Sequence, residues 1–237
     1  MKCKECNTKI KKNSEYCPYC GTEISENVKK NIDVDINIIL DRSGSMATNK
    51  AATIKEYNSY ILEQAQVEGK ATISLYMFSS SYEVVYENKN IKDAPPLNNN
   101  VYKPFGTTAL LDAIGRTILR KDTYYASLKK HKPSKILFVI ITDGLENSSI
   151  EFAKADIIKI IDNKKSENWD FAFIGAGIDA FSEKGRSGIN FNQNAIMSVN
   201  NDSDGWNYAF SSLRDSTVSY RTTSSTSRFK FNTGDEQ

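Results

Sequence analysis

The chain has 237 residues, with 31 lysines and arginines against 29 aspartates and glutamates, so its formal net charge is +2. This near balance gives no electrostatic argument for binding nucleic acid or a phospholipid surface. No stretch approaches the roughly 18 uninterrupted apolar residues of a membrane span, and the first residues lack the apolar core of a signal peptide. We therefore expect a cytoplasmic protein with one α/β domain and a small additional module.

The small module is predicted from the cysteines, which form two Cys-x-x-Cys pairs: Cys3 with Cys6, and Cys17 with Cys20. Two such turns supply four thiolates that close a tetrahedral shell around Zn²⁺, and Gly21 suits the sharp turn after the second pair. The alternatives are two disulfides, disfavoured without a secretory signal, and a redox pair, for which the βαβ context is missing. The sequence therefore predicts Zn²⁺ as a cofactor.

This segment resembles the short zinc ribbons at the start of many bacterial proteins. The resemblance implies a structural or protein-docking role, because four cysteines leave no open coordination position for catalysis. We expect the zinc ribbon over residues 1–24, followed by a polar, lysine-rich linker over residues 25–32.

Strand-like and helix-like patterns alternate from residue 33 to residue 221 and predict one domain there. Strands are predicted over 34–40, 71–78, 82–86, 136–141 and 171–174. Helical stripes begin at Ile54, Leu110, Ala153 and Trp206, and Ser148 to Glu151 fits a capping box for the third helix. The pattern predicts a doubly wound, mostly parallel sheet with one antiparallel edge strand, and the Ser/Thr-rich residues 222–237 are expected to form a flexible tail.

Two of the predicted strands end abruptly in polar side chains. Asp41, Ser43 and Ser45 follow the first strand, and Asp143 follows the strand over 136–141. Carboxyl ends of parallel strands share one edge of an open α/β sheet, so we expect these side chains to meet. Carboxylate and hydroxyl oxygens suit hard cations such as Mg²⁺, Mn²⁺ or Ca²⁺.

The segment Asp41-Arg-Ser43-Gly-Ser45 resembles the DxSxS element of von Willebrand factor type A domains. The segments 106–115 and 141–147 resemble that family's threonine and aspartate elements, so the resemblance spans roughly residues 33–220. It implies a Rossmann-like fold with a metal-ion-dependent adhesion site, or MIDAS. In such a site Ser43 and Ser45 would ligate the cation directly, Thr108 directly or through water, and Asp41 and Asp143 largely through water.

The doublet Thr107-Thr108 leaves two threonines as candidate ligands. Thr108 is preferred because it precedes Ala109-Leu110, as in the family pattern. Carboxylates that act through water leave the cation under-neutralised, so it seeks one more anionic oxygen. The resemblance thus implies a protein-interaction module, not an enzyme, whose partner protein supplies an Asp or Glu side chain.

Two enzymatic interpretations are weaker. A metal-dependent hydrolase or phosphatase is the alternative function, but it needs a general acid or base, and His131 has no acidic or thiol neighbour in sequence. The segment Gly175-Ala-Gly177-Ile-Asp-Ala180 mimics a dinucleotide fingerprint. It comes late in the fold with no second βαβ half after it, which favours a tight turn.

Overall fold

A computed structural model describes residues 2–3, 5–11, 17–22, 33–128, 132–177 and 193–232. The chain divides into two units, Met1–Asn31 and Ile32–Gln237. The predicted linker over 25–32 and His131 lie outside the described residues, as do Ile178 to Ala180 of the glycine-containing segment. None of the helices in the described ranges is long and apolar enough to cross a membrane.

The larger unit is built on a six-stranded sheet with the order β3-β2-β1-β4-β5-β6. Its elements are β1 (Val34–Asp41), α1 (Lys50–Gln66), β2 (Ala71–Phe78), β3 (Tyr82–Asn90), α2 (Leu110–Ser127), β4 (Lys135–Thr142), α3 (Lys154–Ser166), β5 (Trp169–Ala176), β6 (Ile196–Val199) and α4 (Ser203–Thr222). Only the β2–β3 pair is antiparallel among these strands. The predicted fold class, a doubly wound sheet with one antiparallel edge strand, is confirmed.

Each face of the sheet carries one apolar core. Ile36, Ile38 and Leu40 of β1 point to the face covered by α1 and α4, where Trp206 and Phe210 are fully buried. The opposite face contains Ile39 of the same strand, with aromatic and aliphatic side chains of β4 and β5, and is covered by α2 and α3. Strands buried on both faces explain the nearly continuous apolar runs in the sequence.

Two predictions about the ends of elements need correction, and one strand was not predicted. Part of the predicted flexible tail is packed: Phe229 and Phe231 are buried in the core, and the Phe231 amide donates to the Asn194 carbonyl (2.7 Å). Ser148 to Glu151 do not cap α3, because that helix begins later and the Asp156 carboxylate accepts from the Ala153 amide instead (3.0 Å). The four-residue strand β6 was absent from the prediction, since so short a run carries little periodicity.

The glycine-containing segment is described only as far as Gly177, so the expected tight turn stays a prediction. Gly177 follows the last residue of β5 with a φ of +68°, and its amide donates to the Val199 carbonyl (2.8 Å). A positive φ of this size favours glycine because a side chain would be strained there. The hydrogen bond pairs the residue after β5 with the end of β6.

An ion pair is buried near the amino end of β1. The Lys121 ammonium lies 2.7 Å from the Asp35 carboxylate, and both side chains are almost fully buried. Asp35 also accepts from the hydroxyls of Thr72 and Tyr125, while Lys121 donates to Asn88 Oδ1. The pair links α2 to the sheet with most of its hydrogen-bonding capacity satisfied.

We expect Lys121→Met to lower the free energy of unfolding by about 3–5 kcal/mol, because it leaves the Asp35 carboxylate buried without its cation. Urea denaturation measures the loss. Lys55→Met is the matched control: Lys55 pairs with Glu56 at 3.1 Å, but its side chain is 72% exposed, so its loss should stay below about 1 kcal/mol. Equal losses in the two variants would contradict the assignment of Asp35–Lys121 as a structural pair.

Candidate functional site

The parallel pairing of β1 with β4 brings the first two candidate ligands to one edge of the sheet. Asp41 ends β1, and Asp143 directly follows the last residue of β4. The Asp41 carboxylate is fully buried and accepts from the Ser43 amide at Oδ1 (2.6 Å) and from the Thr142 hydroxyl at Oδ2 (2.6 Å). Both oxygens of Asp41 are therefore held in place by the surrounding chain.

Ser43, Ser45 and Asp143 form a chain of oxygen atoms beside Asp41. Ser43 Oγ and Ser45 Oγ are 3.1 Å apart, and the Ser45 hydroxyl donates to Asp143 Oδ1 at 2.7 Å. Oxygens on adjacent corners of an octahedron with Mg–O bonds of about 2.1 Å lie about 3.0 Å apart. The donor type and the spacing of these three oxygens therefore fit a hard octahedral cation.

Thr108 lies next to this cluster. A methyl group added at Gly144 would lie 3.0 Å from Thr108 Oγ1, so the threonine side chain abuts the residue after Asp143. The Thr108 amide donates to Asn147 Oδ1 (2.9 Å), and the Asn147 amide donates back to the Thr108 carbonyl (3.1 Å). Thr108 is buried whereas Thr107 is exposed, which favours Thr108 as the ligand of the pair.

The loop between β4 and α3 contains no helix before Lys154 and is fixed by two carboxylates. Glu146 accepts from the Leu111 amide at the start of α2 (2.9 Å) and from two amides of its own loop, those of Ser148 and Ser149. Asp112 of α2 accepts in turn from three successive loop amides, Ile150 to Phe152. This reciprocal bracing fixes the distance between the Thr108 segment and Asp143.

Burial shapes the electrostatics of the site. The pKa of Asp41 is raised to about 6: desolvation is the main cause and the charge of Asp143 adds to it, against hydrogen bonds from Thr142 and Ser43 that lower the pKa. Burial also raises the pKa of Asp143. Two neighbouring carboxylates whose ionised forms are disfavoured gain from a bound cation, because its charge offsets their repulsion.

The four cysteines form a separate cluster in the smaller unit. Their sulfur atoms all lie within 4.8 Å of one another, with Cys3–Cys20 at 3.6 Å and Cys6–Cys17 at 3.5 Å. Tetrahedral Zn²⁺ with Zn–S bonds of about 2.3 Å separates its sulfurs by about 3.8 Å. All four are free thiols, so the cluster fits the predicted zinc site and contains no disulfide.

The two cysteine turns share one local geometry. The amides of Cys3 and Cys17 donate to the carbonyls of Thr8 and Thr22, and the residue after each second cysteine, Asn7 or Gly21, has a positive φ. Hydrogen bonding with Thr8 lowers the pKa of Cys6 to about 6. Because thiolates are the ligands of Zn²⁺, each threonine supports the metal-binding form of the cysteine two residues before it.

Comparison with known families finds a match for each of the two units. The von Willebrand factor type A domain model matches residues 35–219, which is most of the chain. The chain belongs to the von Willebrand factor type A family. A zinc-ribbon domain model matches residues 2–24, the segment that contains the cysteine cluster. No curated protein gives a significant match.

Solved structures share the fold of the type A domain at low sequence identity. Proximal thread matrix protein 1 from the mussel byssus matches with 15% identity and a TM-score of 0.54, covering 81% of this chain and 47% of that protein. The PilB minor pilin of Streptococcus sanguinis matches with 11% identity and a TM-score of 0.56, covering 79% of this chain and 61% of that protein. The vWF domain of the pilus tip protein Mfa5 from Porphyromonas gingivalis matches with 10% identity and a TM-score of 0.55, covering 81% of this chain and 97% of that domain. The chain thus spans about half of the mussel protein.

Asn201 is a residue of the type A domain site that the sequence analysis missed. It lies in the loop before α4, and its Nδ2 donates to Asp143 Oδ2 (3.4 Å). Its Oδ1 accepts from Asn49 Nδ2 (2.6 Å) and from the indole of Trp206 (3.3 Å). Nothing in the sequence links Asn201 to Asp143, because the two are 58 residues apart.

We expect the purified protein to carry one Zn²⁺ per chain, and Cys17→Ser to lose it, because three thiolates bind Zn²⁺ more weakly than four. Elemental analysis of protein purified under reducing conditions measures the content. Thr8→Val is a milder companion variant that keeps all four ligands and should keep the metal. Absence of zinc from the unmodified protein would overturn the assignment.

We also expect Mg²⁺ to change the fluorescence of Trp206, because Asn201 contacts both its indole and Asp143. The experiment uses a Trp169→Phe background, so that Trp206 is the remaining indole. In that background Asn201→Ala should reduce the response, and Asp41→Asn should remove it together with metal binding measured by calorimetry. A full fluorescence response in the Asn201→Ala protein would contradict the coupling of Asp143 to Trp206 through Asn201.

Proposed function

We propose that the type A domain is a metal-dependent docking module that binds an acidic side chain of another protein through Mg²⁺, with Mn²⁺ or Ca²⁺ as alternative ions. The metal ligands in this proposal are Ser43, Ser45 and Thr108, with Asp41 and Asp143 acting largely through water. Cys3, Cys6, Cys17 and Cys20 hold Zn²⁺ in the ribbon, which has a structural or docking role.

The observation that carries the proposal is the position of Ser45 Oγ, which contacts both Ser43 Oγ (3.1 Å) and Asp143 Oδ1 (2.7 Å). Turn residues in two separate segments have no local reason to bring these oxygens together. Asp41, by contrast, uses both carboxylate oxygens within the chain. Neutral hydroxyls as direct ligands leave positive charge on the cation, which favours an anionic ligand from outside.

The surface beside the site fits a protein partner. Exposed apolar side chains occur on the loops that carry the candidate ligands: Phe105, Leu145 and Ile150, of which Ile150 is 90% exposed. The Phe105 amide donates to the carbonyl of Arg42 (2.8 Å), between Asp41 and Ser43, and Leu145 is two residues after Asp143. Apolar side chains grouped at one edge are typical of interaction surfaces, so they support docking of a folded partner or peptide.

Several finer points stay predictions. We keep the domain over residues 33–221, the ribbon over residues 1–24, the cytoplasmic location and the non-enzymatic role as parts of the proposal. A hydrolase or phosphatase would use the same cation with a general acid or base. Its signature is turnover of generic phosphoester substrates with Mg²⁺ or Mn²⁺ that Asp41→Asn removes, and that result would contradict the docking role.

The test uses a capped peptide with one central aspartate and its asparagine counterpart as probes. We expect the aspartate peptide to bind in Mg²⁺, to dissociate in EDTA and to bind again when Mg²⁺ is restored, because only a carboxylate supplies the missing negative charge. Titrations followed by NMR measure the dissociation constants. Ser43→Ala and Asp143→Ala should each weaken binding at least tenfold, a loss of about 1.4 kcal/mol.

Thr108→Ala and Thr107→Ala form a matched pair, since the two threonines are adjacent and only Thr108 is buried beside Gly144. The first should weaken Mg²⁺ binding, and the second should leave it unchanged. Peptide binding that persists in EDTA, or that Ser43→Ala leaves intact, would contradict the proposed function.

A further inference from the structure

The buried lysine of α2, Lys121, contacts more than its ion-pair partner. Its Nζ lies 2.7 Å from the Asp35 carboxylate and also donates to Asn88 Oδ1 at 2.7 Å. The Ser74 hydroxyl is a third partner at 3.3 Å. A primary amine, in its protonated form, thus contacts both a carboxyl group and a carboxamide inside the fold.

An irregularity in the edge strand β3 directs Asn88 towards α2. The register of β3 against β2 shifts on both sides of Leu75, and Asn88 has a φ of +53°. Successive residues of a regular strand point to opposite faces, whereas a bulge re-aims a side chain. Here two successive residues of β3 contact α2: Glu87 pairs with Arg120, and Asn88 accepts from Lys121.

The amine nitrogen and the carboxamide carbon are close to reacting distance. Asn88 Cγ is bonded to Oδ1 at about 1.2 Å, so it lies within about 4 Å of Lys121 Nζ. Reacting atoms held about 3–3.5 Å apart gain most of the rate advantage of an intramolecular reaction. A side-chain movement of about 1 Å or less therefore brings Lys121 Nζ to Asn88 Cγ.

The surroundings of Lys121 suit a reaction of its neutral amine. The rings of Tyr124 and Tyr125 lie 5.1 and 5.3 Å from Nζ, and the Asp35 side chain is only 2% exposed. One proton transfer over the 2.7 Å contact converts the buried ammonium and carboxylate into an amine and a carboxylic acid. The neutral pair avoids the cost of burying two charges, and an unprotonated amine is the nucleophilic form.

We propose that Lys121 and Asn88 form an intramolecular isopeptide bond, with Asp35 as the proton acceptor. The Lys121 ammonium gives one proton to the Asp35 carboxylate, and the resulting amine attacks Asn88 Cγ. The Nζ–Cγ bond forms, the Cγ–Nδ2 bond breaks, and a second Nζ proton is transferred to the leaving nitrogen, which departs as NH₃. The products are an amide, a neutral Asp35 carboxyl group and ammonia, so atoms and charge balance without an oxidant or a cofactor.

The position of Asn88 allows the ammonia to leave. Its side chain is half-buried and lines a surface cavity of about 520 Å³, with Leu119, Thr123 and Tyr124 of α2. The product joins the edge strand β3 to α2 between residues that are 33 apart in sequence. The ion pair is then the precursor of a cross-link that fixes the edge strand, and this inference is independent of the proposed function.

Mass spectrometry of the full-length protein tests the bond. After correction for any loss of Met1, the denatured protein should be lighter than its sequence mass by one NH₃, about 17 Da. A tryptic digest should contain a branched peptide in which residues 71–89 are joined to residues 121–129. Lys121→Arg and Asn88→Ala should each lack the mass loss and the branched peptide, because each removes one of the two reacting groups.

Lys135→Arg is the matched control, since Lys135 is the other fully buried lysine among the described residues, and its ammonium donates to the Tyr220 carbonyl and the Thr223 hydroxyl. It should retain the branched peptide. Asp35→Asn, with its folding checked by circular dichroism, should lack the bond, and full bond formation in that variant would contradict the role of Asp35.

The digest of the unmodified protein decides the proposal even where a variant fails to fold. Separate peptides from the two segments, both with the masses of their sequences, would overturn the bond. An unbranched peptide 71–89 that is itself lighter by about 17 Da would indicate a succinimide and would overturn it as well.

Discussion

The site depends on one buried carboxylate, that of Asp41 at the carboxyl end of β1. The side chain is fully buried, both of its oxygens accept hydrogen bonds from the chain, and its pKa is raised to about 6 by desolvation. Parallel pairing of β1 with β4 places Asp143 close enough for its charge to contribute to the raised pKa. A cation would relieve both penalties, and this is the electrostatic basis of the proposed metal site.

The opposite end of β1 contains a buried carboxylate with a structural role. Asp35 is also a buried aspartate on this strand, but the Lys121 ammonium lies 2.7 Å away, and hydroxyls of Thr72 and Tyr125 complete its shell. Among the described residues, no lysine or arginine forms an ion pair with Asp41. Two similar carboxylates thus differ in one respect: a lysine balances the charge of Asp35 inside the fold, whereas the balancing charge for Asp41 is the cation of the proposed site.

The parts predicted correctly from the sequence are those set by local patterns. Strand periodicity, the two cysteine turns and the polar residues after β1 and β4 are all short-range signals. What was missed depends on contacts between distant segments. Asn201 reaches Asp143 across 58 residues, and Phe229 and Phe231 are buried although their segment has the composition of a flexible tail. The loop after β4 is ordered by Glu146 and Asp112 instead of by helix capping, and neither role shows in periodicity.

The two proposed metal sites differ in a way that explains why only one suits docking. The cysteine cluster draws all four sulfurs from two short turns, and four thiolates would fill the coordination shell of Zn²⁺ and more than neutralise its charge. The proposed oxygen site draws its ligands from three segments braced by Asn147, Glu146 and Asp112, and the proposed direct ligands are neutral hydroxyls. A closed shell would stabilise a small unit that has little core, whereas an open, under-neutralised one would have affinity left for a partner's carboxylate.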